Sequence, residues 1–202
     1  MKKSLILLRI LCFTCMLLFG CNAAPESTVP TEAKDPIWGK GYYVSFNSFT
    51  THSGHPSENF WYCLTEDQHL VIAPWTPPQD VQLTEYEFIP EEFPTAYTDF
   101  GYWQDIFNPE YLCANTKRAW KGQNENGDYR FILLQLRDDM LFLVQQDTDS
   151  EGNPYIFTVQ IIEEKGTQAE YFSYWKDQWL PRQFEDNKEP YQKWKELYNK
   201  YK

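Results

Sequence analysis

The chain is poor in positive charge. Its 202 residues hold 18 Lys and Arg against 29 Asp and Glu, for a formal net charge of −11. That balance excludes a nucleic-acid binder, whose phosphate contacts depend on Lys and Arg. Histidine is scarce, with three residues, and no HExxH pattern occurs among them. The phosphate-cradling GxxxxGK[ST] loop and the GxGxxG fingerprint are both missing, which leaves nucleotide binding without support. No Gly-x-Ser-x-Gly elbow is present, so nothing local marks a serine hydrolase. No apolar run reaches the about 20 residues that a membrane-spanning helix needs.

What is present begins at the N-terminus. Lys2, Lys3 and Arg9 form a positive region, Ile10 to Phe19 a mostly apolar one of ten residues, and Leu18-Phe19-Gly20-Cys21 ends it. The apolar stretch has the length of a signal peptide and is too short to span. The segment resembles the lipobox of bacterial lipoproteins, a Leu and two small residues before a Cys, with Phe19 departing from the preferred small residue. The resemblance implies cleavage after Gly20 and a diacylglycerol on Cys21, usually with an acylated new N-terminus. Residues 1–20 are then a lipoprotein signal peptide. The protein is expected at a cell membrane or outer membrane, anchored by lipid on its extracytoplasmic side, periplasmic or at the cell surface.

Residues 21–36 are the lipidated Cys and a flexible tether. Pro25, Pro30 and Pro36 punctuate a run with almost nothing large and apolar, and such a run cannot order itself by burial. A flexible segment of this length spans about 20 Å root-mean-square. Loss of the leader removes three of the 18 basic residues and none of the 29 acidic ones, so the net charge falls to −14. An electrostatic second anchor on anionic lipid is excluded by that charge.

Residues 37–202 suit one folded extracytoplasmic domain. Its runs read as an α+β fold: an antiparallel sheet or small open barrel of six or seven strands, with two C-terminal helices packed on it. Residues 60–65 and 69–73 flank a polar turn as a hairpin, and residues 131–136 and 140–144 do the same. The second pair lacks alternation, which points to burial on both faces. Tyr42, Val44 and Phe46 fall on one face of a strand over 41–49. Tyr155, Phe157, Val159 and Ile161 fall on one face of another. Val81 to Ile89 alternates imperfectly, and Asn126-Gly127 is a favoured turn.

Thr167 and Glu170 form a capping-box pattern, ahead of Tyr171, Phe172, Trp175 and Trp179 at helical spacing. A second helix is expected from Glu189-Pro190, with Tyr191, Trp194, Tyr198 and Tyr201 as its stripe. Both stripes read first as packing surfaces.

Aromatic residues are abundant, with 8 Trp, 14 Tyr and 14 Phe. Most are expected to fill core. The loop-rich stretch from Pro74 to Pro109 holds several more, and long loops in compact domains are often functional. Trp75, Tyr97, Tyr102 and Trp103 are therefore the candidate binding surface, for a glycan, a peptide or an envelope-protein partner.

Other chemistry is thinner. His52 and His55 lie three apart in a Gly/Pro loop, with His69 beyond; these are weak metal candidates, since three or four ligands are needed. Ser53 between them is not a triad. Asp147, Asp149, Glu151 and Gly152 match half of a calcium loop, but the twelfth position is Thr158, where the bidentate carboxylate belongs. The adjacent pairs Glu91-Glu92, Asp138-Asp139 and Glu163-Glu164 read as solvated charge rather than two carboxyls across a cleft. Cys63 and Cys113 are the cysteines left after Cys21. A bridge between them would close a loop of about 50 residues, worth roughly 4 kcal/mol; two thiols are the alternative. No catalytic residue and no cofactor emerge. The best-supported class is a non-catalytic binding module of the cell envelope. An envelope hydrolase acting on glycan or cell wall, a metal-handling lipoprotein and a structural envelope component are the alternatives.

Overall fold

Strand pairing follows chain order almost throughout, so each strand packs beside the one before it. The computed structural model describes residues 37–49, 53–54, 57–89, 109–138, 140–179 and 188–202. The strands are β1 (Lys40–Phe49), β2 (Ser53–Gly54), β3 (Ser57–Leu64), β4 (His69–Ile72), β5 (Gln79–Gln82) and β6 (Thr84–Tyr86). Then come helix α1 (Pro109–Asn115) and strands β7 (Arg118–Gln123), β8 (Arg130–Arg137), β9 (Met140–Thr148) and β10 (Pro154–Thr167). Helices α2 (Gln168–Trp179) and α3 (Lys188–Tyr201) close the chain.

The sheet runs β5-β4-β3-β1-β10-β9-β8-β7-β6, with β2 as a short addition to β1, and every pairing is antiparallel. Its two end strands are neighbours in sequence, separated only by Leu83. Residues 79–82 pair with β4, and residues 84–86 pair with β7. One stretch of chain thus serves both edges and brings the sheet back on itself as a nearly closed up-and-down barrel. Nine strands lie on the path; with β5 and β6 counted as one, the barrel has eight staves. At the joint the Leu83 N–H donates to the Gln68 carbonyl at 2.9 Å. Such closure removes the exposed edges that an open sheet would present.

The α+β class with an antiparallel sheet stands. The expected six or seven strands become ten among the described residues, and the open barrel becomes nearly closed. β7 is the main strand the sequence hides. Its inward positions are Trp120 and Gly122, and one ring with one glycine makes no alternation to read. Helix α1 is likewise unannounced.

Three apolar clusters hold the fold. The barrel interior is filled by Tyr42, Val44, Leu64, Leu70, Leu133, Leu143 and their neighbours. A second cluster lines the outside of β7–β10, where Leu112 of α1, Tyr86 and Phe88 meet Ile132, Leu134, Phe142 and Val144. That cover explains why β8 and β9 are buried along both faces. The third cluster seats α2 and α3 on the outside of β3 and β4: Tyr171, Phe172, Trp194 and Tyr201 pack on Phe60, Cys63 and Val71.

Local chemistry starts α2. The Glu170 N–H donates to Thr167 Oγ1 at 3.2 Å, and the Thr167 N–H donates to Glu170 Oε2 at 2.7 Å. This is the expected capping box, and those bonds hold the Glu170 carboxyl below its ordinary value. In α3 the buried face is Pro190, Trp194, Leu197 and Tyr201. Tyr198 stacks on Trp194 at 5.4 Å, while Tyr191 is only half-buried. Asp80 anchors the end of this helix. It accepts from the Tyr201 hydroxyl at 2.9 Å and pairs with Lys200 and with His69 Nδ1 at 2.8 and 2.7 Å.

Candidate functional site

The barrel has one closed end and one open end, and the sequence explains both. At the closed end Ile37 and Trp38 turn under the barrel ahead of β1. Trp38 meets Trp120 edge to face at 5.4 Å, and the Tyr42 hydroxyl donates to the Ile37 carbonyl at 2.7 Å. Gly39 allows the turn, at φ +74°, and its N–H donates to the Leu64 carbonyl at 2.7 Å. The interior side chains here are apolar.

Towards the other end the same inward positions become polar. Gln145 follows Leu141 and Leu143 on β9, while Gln160 and Thr158 precede Ile162 on β10. All three are buried, at 4, 6 and 3 % exposure. Two bulges complete the change. On β1, Val44 pairs with Ile162 and Phe46 with Ile161, so Ser45 is an extra residue. On β10, Ile156 pairs with Gln146 and Thr158 with Gln145, so Phe157 is another. A bulge re-aims the side chains beyond it. Phe46 therefore leaves the face of Tyr42 and Val44 and packs with the outer cluster, and Asn47 comes to the mouth. Phe157 likewise leaves the face it was expected to share with Val159 and Ile161 and lines the mouth instead.

The result is a cavity of about 520 Å³ at the open end. Its aromatic walls are Trp61, Tyr62, Trp75, Tyr129 and Phe157; its amides come from Asn47, Gln79, Asn124, Asn126, Gln145 and Gln160. Trp75 stands edge-on to Tyr129 at 5.4 Å and lies 6.0 Å from Phe131. A hydrogen-bonded chain crosses one wall: the Tyr62 hydroxyl donates to Gln160 Oε1, and Gln160 Nε2 donates to Asn47 Oδ1 at 3.0 Å. Burial raises the Tyr62 phenol well above its ordinary value, so it stays a neutral donor. Gln145 Nε2, by contrast, is buried and has no hydrogen-bond partner. A buried amide left unpaired costs about 1–3 kcal/mol.

The loops around the mouth are individually held. Residues 124–129 form the β7–β8 hairpin: Asn124 Oδ1 accepts the Tyr129 N–H at 3.1 Å, and Gly127 takes φ +80° in the Asn126-Gly127 turn expected from sequence. The segment carrying Trp75 is tied to α2, because the Ala73 N–H donates to the Tyr171 hydroxyl at 2.8 Å. That hydroxyl in turn donates towards the Trp61 and Val71 carbonyls, each at 3.2 Å.

Of the candidate binding surface, Trp75 lies in this cavity, while Tyr97, Tyr102 and Trp103 lie outside the described residues. Cys21, His52 and His55 lie outside them as well. His69 is engaged by Asp80, on the far side of β4 and β5 from the barrel interior. Among the described residues, no three His, Cys, Asp or Glu side chains group so as to hold a metal ion. No bond joins Cys63 to Cys113. Cys63 is buried beneath α2 and α3, whereas Cys113 is half-buried on α1. Asp149 is spent on its own turn, accepting the backbone N–H groups of Glu151 and Asn153 at 2.9 and 2.8 Å. Glu163 accepts from Tyr43 and Glu164 from Lys40, so this carboxylate pair has two separate partners.

Sequence reasoning missed Asn47, Gln145, Thr158 and Gln160. Their signal was the interruption of apolar strand runs by amides, in LFLVQQD at 141–147 and TVQII at 158–162.

Fold and mouth together define a small up-and-down barrel, plugged at one end and open at the other. Barrels of eight strands have room inside for side chains or for one small ligand. Comparisons with protein-family models, with curated proteins and with solved structures find no match to this chain.

Proposed function

We propose that this chain is a lipid-anchored, extracytoplasmic binding protein of a bacterial cell envelope, that it is non-catalytic, and that the mouth of the barrel is its binding site. One observation carries the site: a cavity of about 520 Å³ walled by aromatic rings and lined by the side-chain amides of Asn47, Gln79, Asn124, Asn126, Gln145 and Gln160. Small-molecule sites have this character, with volumes of about 300–1,000 Å³, apolar walls and a few polar groups, and the mouths of barrels are among their usual places.

The anchor reading rests on Lys2, Lys3, Arg9, the apolar stretch and Cys21. No helix among the described residues is long and apolar enough to cross a membrane; in this reading the lipid on Cys21 is the attachment. Two or three acyl chains hold a protein stably where one does not.

The test has two parts. Mass spectrometry of the N-terminal peptide from membrane-purified protein should show Cys21 first and diacylglycerol-modified, and Cys21→Ala should release the chain from the membrane fraction. An unmodified Cys21 would sink the anchor. Native mass spectrometry after incubation with an extract of its own envelope should show an adduct that Trp75→Ala loses. An adduct that survives Trp75→Ala overturns the placement of the site.

A further inference from the structure

We infer that the mouth recognises a neutral, hydroxyl-rich ligand, a sugar residue at the end of a glycan; this rests on the mouth being the binding site. Three properties of the cavity lead there.

The first is its charge. No Lys or Arg lines it among the described residues, and the single charged lining residue, Asp128, is exposed on the hairpin at its rim. An anion would enter with no countercharge, and burying an unpaired charge is strongly unfavourable. The acidic balance of the whole chain adds to that cost. A peptide entering by its C-terminus meets the same difficulty.

The second is its hydrogen bonding. The amides of Asn47, Gln79, Asn124, Asn126, Gln145 and Gln160 line it, each with a carbonyl oxygen to accept and an NH₂ to donate. Gln160 and Thr158 lie on β10, both nearly inaccessible to water, with Thr158 directly across the ladder from Gln145. Hydroxyl groups both donate and accept, which suits a wall of amides and hydroxyls. An acyl chain would offer these amides no hydrogen bond, and a quaternary ammonium accepts none at all.

The third is the arrangement of rings. Trp75 and Tyr129 form one wall, and Trp61 and Phe157 further line the opening. The C–H face of a sugar ring fits the electron-rich face of such a side chain, while the sugar hydroxyls point in the ring plane toward the amides. A volume of about 520 Å³ suits one or two sugar residues rather than a long strand.

The experiment is ligand-observed NMR and tryptophan-fluorescence titration of the full chain in a detergent without a sugar headgroup. The probes are glucose, galactose, N-acetylglucosamine and lactose, with galacturonate and choline as charged counterparts. At least one neutral sugar should bind saturably, at least tenfold better than either charged probe. Gln145→Leu, which removes the orphaned amide at similar volume, should weaken that sugar at least tenfold while the melting temperature stays the same or rises. Trp75→Ala should weaken it by at least as much. Preference for galacturonate or choline, lost in Trp75→Ala, overturns the ligand class and leaves the site standing. So does the failure of every sugar when an envelope-extract adduct is still lost in Trp75→Ala. Failure of every probe, together with an extract adduct that Trp75→Ala leaves unchanged, overturns both the ligand class and the site.

Discussion

Gly122 lies directly against the Gln82 carbonyl oxygen, so close that a β-carbon there would come to 2.4 Å of it and to 2.7 Å of Val81 Cγ1. This contact is the seam of the barrel. β7 meets the joint between β5 and β6 there, and a side chain at Gly122 would hold the two apart. Gly122→Val should therefore destabilise the domain by about 1–3 kcal/mol, the usual cost of overpacking. Urea unfolding measures it. An unchanged midpoint would mean that the barrel tolerates an open seam.

Tyr171 joins helix to mouth. Its hydroxyl accepts the Ala73 N–H and donates towards two strand carbonyls. Tyr171→Phe leaves a buried N–H without its acceptor, at a cost of about 1–3 kcal/mol. Hydrogen exchange at Ala73 should accelerate, and ligand affinity should fall with it because Trp75 lies two residues on. Exchange at the wild-type rate would show that the hydroxyl does not hold this loop.

Cys63 should be chemically silent in the folded protein. It is fully buried, and burial, with the nearby Asp67 charge, pushes its thiol pKa well above 9.0. The thiolate is the reactive form, so alkylation of Cys63 at pH 8 should proceed at the rate of unfolding. Rapid labelling under native conditions would contradict the packing of α2 and α3 on β3.

The capping box predicts a pH effect of definite sign. The Thr167 N–H and hydroxyl lower the folded-state pKa of Glu170 below its ordinary 4.5. A depressed carboxylate contributes stability above its unfolded value, and that contribution is lost as the pH falls through the folded one. Helix α2 should thus loosen below about pH 4.5, and Glu170→Gln should flatten this part of the acid limb. NMR titration of the Glu170 side chain checks the direction; a value at or above 4.5 would show that the cap is not formed in solution.

Much of the scaffold was legible. Thr167 and Glu170 announced a helix start because a capping box needs only four consecutive residues. Runs at 60–73 and 131–144 announced hairpins, and the lack of alternation in the second announced its two-sided burial. Trp75 stood out as an aromatic residue in a proline-rich loop. The bulges at Ser45 and Phe157 were not legible, because a bulge is a property of two paired strands. Phe46 and Phe157 were accordingly placed on the wrong faces. β7 escaped notice because its glycine is required by a carbonyl forty residues away.

By itself the sequence determined the acidic charge, the basic and apolar N-terminal stretch that ends at Cys21, the strand-rich order with its helical C-terminus, and the aromatic excess. Each is a composition, a spacing or a contact within a few residues. Only the tertiary structure decided that the sheet closes, since closure depends on residues 79–86 sharing their two edges between strands far apart in the chain. Only it decided that Asn47, Tyr62, Gln145 and Gln160, spread over more than a hundred residues, face one another around a cavity. Strand register, twist and two bulges place them there, and those are set by long-range pairing that no local pattern carries.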